Sequence, residues 1–337
     1  MMKRILLYLI VAVIFAAGFL LVFYPIGRSA AAEHKNRASI RHFREITENC
    51  GESMDKVISE TGKASSDSSD SPEGSSSGGT MAYAQLFSEM EAYNRRIYQE
   101  NQESLCDAWS YQQNVFDFPS TGLEDDMVGY ITIDAMNVEL PLYIGANEEN
   151  MSKGAVVLSQ TSMPIGGENT NCVIAAHRGW YTSPMFQDIE VLQPGDEVRV
   201  TNLWGTLTYQ VVKTIVIEPT DIDAVKIIEG EDLLTLVTCH PYTQNYQRYV
   251  VYCSRTGGSN RNLSEKEQEE AKEEESLQAE SPAEVNIPFE GIPWESSEPA
   301  IRRERQVNRI AVLGVGLVFI LLLAGLIIRS LKKKRKN

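Results

Sequence analysis

Between Met127 and Ser254 the chain carries eight short runs rich in β-branched and aromatic residues: Val128–Asp134, Val138–Ile144, Ala155–Leu158, Cys172–Ala176, Glu197–Thr201, Thr206–Glu218, Leu233–Thr238 and Arg248–Cys253. Turn formers separate them, among them Gly166-Gly167, Pro194-Gly195 and Trp204-Gly205. Segments of this length and composition read as strands. No helix-length periodic segment alternates with them, which disfavours a parallel α/β sheet. The pattern predicts a mainly β domain, an antiparallel barrel or sandwich of roughly 130 residues.

The flanks have another character. Two apolar runs, Ile5–Tyr24 and Ile310–Ile328, each approach the roughly 20 residues that cross a bilayer as a helix. Lys3 and Arg4 precede the first; Arg329, Lys332, Lys333, Lys334, Arg335 and Lys336 follow the second. The positive-inside rule places both ends in the cytoplasm and the middle outside. Taking these eight basic residues from the net charge of −15 leaves −23 for the exterior part. So acidic a chain lacks the basic footprint of a nucleic-acid binder. A cleaved signal peptide ending near Ala30-Ala31-Ala32 is the alternative for the first run, but the run exceeds the usual signal core.

The expected organisation is therefore a transmembrane helix (or signal peptide) over 1–28 and a juxtamembrane and Ser/Gly-rich linker over 29–80. A helix and lid region follows over 81–122, then the β domain over 123–256, an acidic, Pro-bearing tether over 257–308, and a second transmembrane helix with a basic tail over 309–337. Ser65–Thr80 is nearly all Ser, Gly and Asp and cannot bury a core. Leu86, Met90, Tyr93, Ile97 and Tyr98 recur at helical spacing within 81–104. Glu265–Glu275 is a solvated spacer by composition.

Cysteines number five: Cys50, Cys106, Cys172, Cys239 and Cys253. An odd count in an exterior domain leaves at least one thiol unpaired unless it bonds another chain. Cys172 and Cys253 would bridge only if their strands were close; two free core thiols are the equal alternative.

Cys239 closes an apolar strand, and Pro241 stops regular pairing just after it. Arg248 opens the next strand, so a hairpin puts thiol and guanidinium on one edge. An adjacent guanidinium favours thiolate and stabilises a developing oxyanion. His177 ends a third apolar strand, while His34 and His42 lie in the juxtamembrane stretch. Cys, His and Arg at strand ends are the parts of cysteine acyl transfer: nucleophile, proton carrier and oxyanion donor. Asp188 could orient His177, but a helix cap or a surface charge is the favoured reading. His240 beside Cys239 would reach a metal only with further ligands, for which Cys253 is the nearest candidate. No metal and no cofactor is expected.

Thr235-Leu236-Val237-Thr238-Cys239 with Arg248 nine residues on resembles the sortase signature, and Ala176-His177-Arg178-Gly179 resembles the sortase histidine motif. Gly129-Tyr130-Ile131, Leu140-Pro141-Leu142-Tyr143 and Gly166-Gly167-Glu168-Asn169 match family positions in order. The resemblance spans about Leu86 to Arg255 and is greatest to class C, the pilus-assembling group. Cys239-His240-Pro241-Tyr242 is similar to the class C Cys-Thr-Pro-Tyr segment, with His240 for Thr, and Asn245 falls at a family asparagine.

That resemblance implies a closed eight-stranded sortase barrel flanked by two membrane helices. It implies a Cys239 thioester formed on a Leu-Pro-x-Thr-Gly-like sorting signal, with His177 carrying the proton and Arg248 binding substrate or oxyanion. The partners implied are pilin or surface proteins bearing that signal and an amine acceptor, either a pilin lysine or peptidoglycan. The place implied is the membrane of a Gram-positive-type bacterium, multi-pass, with the catalytic domain extracellular. It also implies a lid: Asp107 approaching Arg248, and Trp109 covering Cys239. Ala108 stands where class C has Pro, which loosens the lid. A wall-anchoring sortase, a cysteine hydrolase and a non-enzymatic adhesion module are the alternatives.

Overall fold

The computed structural model describes residues 30–47, 77–111, 127–179, 183–260 and 285–334, with a few isolated positions before 30. The first apolar run lies almost wholly outside these residues, as do Cys50, most of the Ser/Gly-rich linker and the Glu-rich spacer. Two compact units divide the chain. One comprises Lys35–Trp180 and Pro184–Ser296; the other comprises Met1–His34, Tyr181–Ser183 and Ser297–Asn337.

The larger unit is built on eight strands: β1 (Met127–Ile133), β2 (Val138–Ile144), β3 (Ala155–Val157), β4 (Thr170–Ala175), β5 (Glu197–Asn202), β6 (Gly205–Ile217), β7 (Asp232–His240) and β8 (Gln247–Asn260). They close into a barrel in the order β1-β2-β3-β4-β7-β8-β6-β5. Closure removes the free sheet edges that would invite aggregation. The barrel is not wholly antiparallel, as the sequence pattern suggested. β2 pairs β3, and β4 pairs β7, in parallel. Both parallel pairs are joined by crossovers rather than hairpins. β7 is buried along nearly its whole length, whereas β5 and much of β6 alternate between buried and part-exposed positions. That difference follows the sequence: Leu233–Val237 is a near-continuous apolar run, while Glu197–Thr201 alternates.

Gly129 shows how tightly the barrel closes. A Cβ there would lie 2.1 Å from the Thr201 carbonyl oxygen across the β1–β5 pairing, so only glycine fits.

Three helices accompany the barrel: α1 (residues 30–47), α2 (Ser77–Gln99) and α3 (Glu148–Lys153). α1 falls in the stretch expected to be juxtamembrane, yet its later half is docked. Ile40 and Phe43 are buried, Phe43 meets the Tyr130 ring edge-on, and Arg44 lies over that ring at 4.8 Å. α2 buries Leu86, Met90 and Ile97, as its spacing predicts, while Tyr98 is exposed. It begins inside the expected linker and stops at Gln99, before the expected end. Positive φ angles at Asn101 and Gln102 turn the chain there. Tyr93 Oη accepts from the Gln160 amide at 2.8 Å, and Asn94 Oδ1 from the Met163 amide at 2.7 Å, pinning α2 to the barrel.

Residues 285–296, which composition assigns to a tether, have no regular structure but lie on β6. The Ile292 amide donates to the Val216 carbonyl at 2.8 Å, and Lys213 Nζ donates to the Ile287 carbonyl at 3.1 Å.

In the smaller unit α4 (Glu298–Lys334) is a continuous 37-residue helix containing the second apolar run. Among the described residues no helix is long and apolar enough to cross a membrane, and several side chains of this run lie outside them.

Candidate active site

β4, β7 and β8 are adjacent, and the C-terminal ends of β4 and β7 meet the start of β8 at one barrel edge. The Ala176 amide donates to the Val237 carbonyl at 3.2 Å, and Thr238 Oγ1 to the Ala176 carbonyl at 2.7 Å. These bonds fix His177, just past β4, beside the end of β7. Cys239 stands directly opposite Arg248 in the β7–β8 register. The connecting loop is held by the Pro241 carbonyl, which accepts from the Gln244 and Asn245 amides at 3.1 Å each. Asn245 takes a left-handed φ of 64° and its carbonyl accepts from Arg248 at 3.1 Å.

A cavity of about 460 Å³ opens at this edge, lined in part by Trp109, His177, Gly179, Cys239, Tyr242 and Arg248. The three candidate chemical residues thus share one pocket, although His177 precedes Arg248 by some seventy positions. All three are nearly buried, at 9%, 6% and 7% exposure for His177, Cys239 and Arg248.

The segment after α2 reaches the same place. Asp107 grips Arg248 through both carboxylate oxygens, accepting from Nε at 2.7 Å and from an Nη at 2.8 Å. Such a bidentate charge-assisted pair is among the stronger polar contacts available to a side chain. Asp107 also caps the short turn Ala108–Ser110 by accepting from the Trp109 amide at 3.1 Å. That turn aims Trp109 at the cavity. Its indole Nε1 lies 3.4 Å from His177 Nδ1, and Arg248 stacks over its ring at 4.5 Å. Ala108, where the resemblance expects Pro, is buried, and the Asp107 cap holds the turn in its place.

Burial governs the protonation states. It pushes the Cys239 thiol up to about 11, with Asp107 adding to the rise while Arg248 and Arg178 oppose it. It also pushes His177 down to about 4. Thiol and imidazole are both neutral across the range between, the form that burial favours over an ion pair.

Asp188 precedes the turn Ile189–Val191 without capping it through its side chain. Cys172 and Cys253 are free and buried. Both are in register with Leu234 of the intervening β7, so two strand spacings separate them, roughly 10 Å and too far for a disulfide. His240 lies in a buried network with Arg178 and Glu190. Arg178 Nη1 approaches His240 Nδ1 at 2.8 Å, and its other amine pairs with Glu190. Burial alone would raise the Glu190 carboxyl; contacts from His240, Ser296 and Arg178 outweigh it and hold it at about 2. Sequence reasoning missed this network. Arg178 had a signal, its place beside His177, but nothing in the chain marks Glu190 as its partner.

Comparison with known proteins gives the family. The sortase-domain family model matches residues 131–256. The solved sortase C2 of Group B Streptococcus Pilus Island 1 is 32% identical, over 52% of this chain and 98% of that one, with a TM-score of 0.48. The chain belongs to the sortase family. Sortase C of Streptococcus pneumoniae is 34% identical over 50% of this chain and 88% of its own, with a TM-score of 0.43. Sortase D of Bacillus subtilis is 28% identical over 140 residues, 41% of this chain and 66% of that protein. Sortases are cysteine transpeptidases of the Gram-positive cell envelope.

Proposed function

We propose that this sortase cleaves a Leu-Pro-x-Thr-Gly-like sorting signal through a Cys239 thioester and joins the acyl group to a pilin lysine. The observation that carries this reading is the shared pocket of Cys239, His177 and Arg248, covered by Asp107 and Trp109. The Cys239 proton passes to His177 as sulfur attacks the scissile carbonyl carbon, and Arg248 donates to the oxyanion. The C–N bond then breaks, and the leaving amine takes the proton from His177. An incoming amine attacks the thioester, loses a proton through His177, and Cys239 leaves as thiol. One amide replaces another, so no energy source is required.

Asp107 and Trp109 act as a lid in this reading. Asp107 occupies the two Arg248 donors that an oxyanion or substrate carbonyl would use, so substrate must displace it. A lysine acceptor is favoured by this covered site and by the pilus-related names of the Group B Streptococcus sortases that resemble the chain. The two apolar runs and the basic tail support a two-helix anchor with the barrel outside. Membrane-held substrates would then meet the enzyme at raised effective concentration.

The test is product analysis. The full-length enzyme is incubated with a sorting-signal peptide and a lysine-bearing acceptor. An isopeptide-joined product supports the proposal. Transfer only to a peptidoglycan-type amine would assign the enzyme to wall anchoring, and hydrolysis alone would make it a hydrolase.

A further inference from the structure

The network behind the pocket links the two reacting residues to the chain that leads into α4. Arg178 directly follows His177. Its guanidinium crosses to β7, where Nη1 donates to the Cys239 carbonyl at 3.3 Å and to His240 Nδ1 at 2.8 Å. Glu190 Oε1 approaches the same ring nitrogen at 3.4 Å, so guanidinium, imidazole and carboxylate converge there. The other amine of Arg178 pairs with Glu190 in the turn after Phe186, and the Phe186 amide returns to the His177 carbonyl at 3.0 Å. The path is a closed ring: His177, Arg178, Glu190, and back through Phe186 to His177, with the Cys239 carbonyl and the His240 ring held by Arg178.

The side chains of Arg178, Glu190 and His240 are 1%, 3% and 0% exposed. Burying an ion pair costs several kcal/mol per ion in desolvation, so such a pair is weak evidence for stability. A segment distant in sequence braces the ring. Ser296 Oγ donates to Glu190 Oε2 at 2.6 Å. The Trp294 ring stands perpendicular to His240 at 5.5 Å and nearly so to Tyr249 at 5.2 Å.

We propose that Arg178 is a positioning residue that sets the spacing of Cys239 and His177, and that Trp294 and Ser296 hold it through His240 and Glu190. The segment preceding α4 is thus part of the catalytic unit rather than a passive tether. His240, standing where class C sortases resemble one another in having Thr, supplies the ring on which Trp294 rests. The Arg178 charge near Cys239 also favours the thiolate when sulfur attacks. The inference rests on Cys239 being the nucleophile.

The experiment compares full-length wild type, Trp294→Ala, Trp294→Phe, Ser296→Ala, His240→Thr and the double variant Trp294→Ala with His240→Thr, using a sorting-signal peptide. Two readouts are taken: the rate constant for thioester formation on Cys239 and the peptide KM. Displacement by an ångström costs up to about 100-fold in rate, so Trp294→Ala is expected to slow thioester formation about 10-fold with KM nearly unchanged. Trp294→Phe restores most of the rate, and His240→Thr alone matches the double variant, because the two residues act through one contact. A wild-type rate in both Trp294→Ala and Ser296→Ala would overturn the proposal, as would a loss that Phe does not restore. Absence of any wild-type thioester would instead overturn the assignment of Cys239.

Discussion

Removing the lid contacts gives the most quantitative prediction. The perturbation is Asp107→Ala with Trp109→Ala, made in a Cys106→Ser background because Cys106 is a partly exposed thiol four residues from its Ser110 partner. Thiolate is the reactive form of cysteine. Burial, with a contribution from Asp107, moves the Cys239 thiol from 9.0 to about 11. At pH 7 this lowers the thiolate fraction from about 10⁻² to about 10⁻⁴, equivalent to about 2.7 kcal/mol. The variant loses the indole cover and the carboxylate while retaining Arg248, whose charge acts in the opposite direction. Full return to the ordinary value would accelerate modification about 100-fold, and partial re-solvation about 10-fold. The assay is the second-order rate of alkylation by a small uncharged thiol reagent, followed by mass mapping of the Cys239 peptide. Cys172 and Cys253 stay silent, because burial raises both thiols well above their ordinary value. A Cys239 rate equal to wild type would refute the reasoning, because burial beneath Trp109 and Asp107 could not then be what suppresses the thiolate.

Two further predictions concern stability. Glu190 is lowered from 4.5 to about 2 in the folded state, so its stabilisation is complete above pH 4.5 and is lost as pH falls toward 2. Melting temperature against pH should fall across that window in wild type and more gently in Glu190→Gln; equal slopes would contradict the assigned network. Gly258 has φ +83°, and an added Cβ would lie 2.0 Å from the Thr206 carbonyl oxygen. Gly258→Ala is expected to cost about 2–4 kcal/mol by denaturant unfolding, and an unchanged midpoint would show that the β6–β8 approach relaxes freely.

Parts of this architecture are legible in the chain for identifiable reasons. β2 runs over the residues its composition predicts, and β7 declares itself as a continuous apolar run because both of its faces are covered. Cys239 and Arg248 are separated by a short loop, so their apposition follows from a hairpin alone. His177 required more: its approach to Cys239 depends on the parallel β4–β7 pairing, which local pattern does not encode. Residues 285–296 offered no periodicity, since they lie on β6 as irregular chain whose contacts are single residues such as Ile287 and Trp294. The Arg178–Glu190–His240 ring was hidden for a similar reason. Charged residues read as solvated until the fold shows them buried and paired.

The central claim is that Cys239 forms an acyl-enzyme with a sorting signal, and intact-mass measurement tests it most directly. Full-length wild-type and lid-opened enzyme are each incubated with a Leu-Pro-x-Thr-Gly peptide and quenched in acid. The account predicts a mass increase equal to the acyl fragment ending at Thr, mapped to Cys239, faster in the lid-opened enzyme and discharged by added amine. No adduct on Cys239 in the lid-opened enzyme, while the peptide is still cleaved, would contradict it.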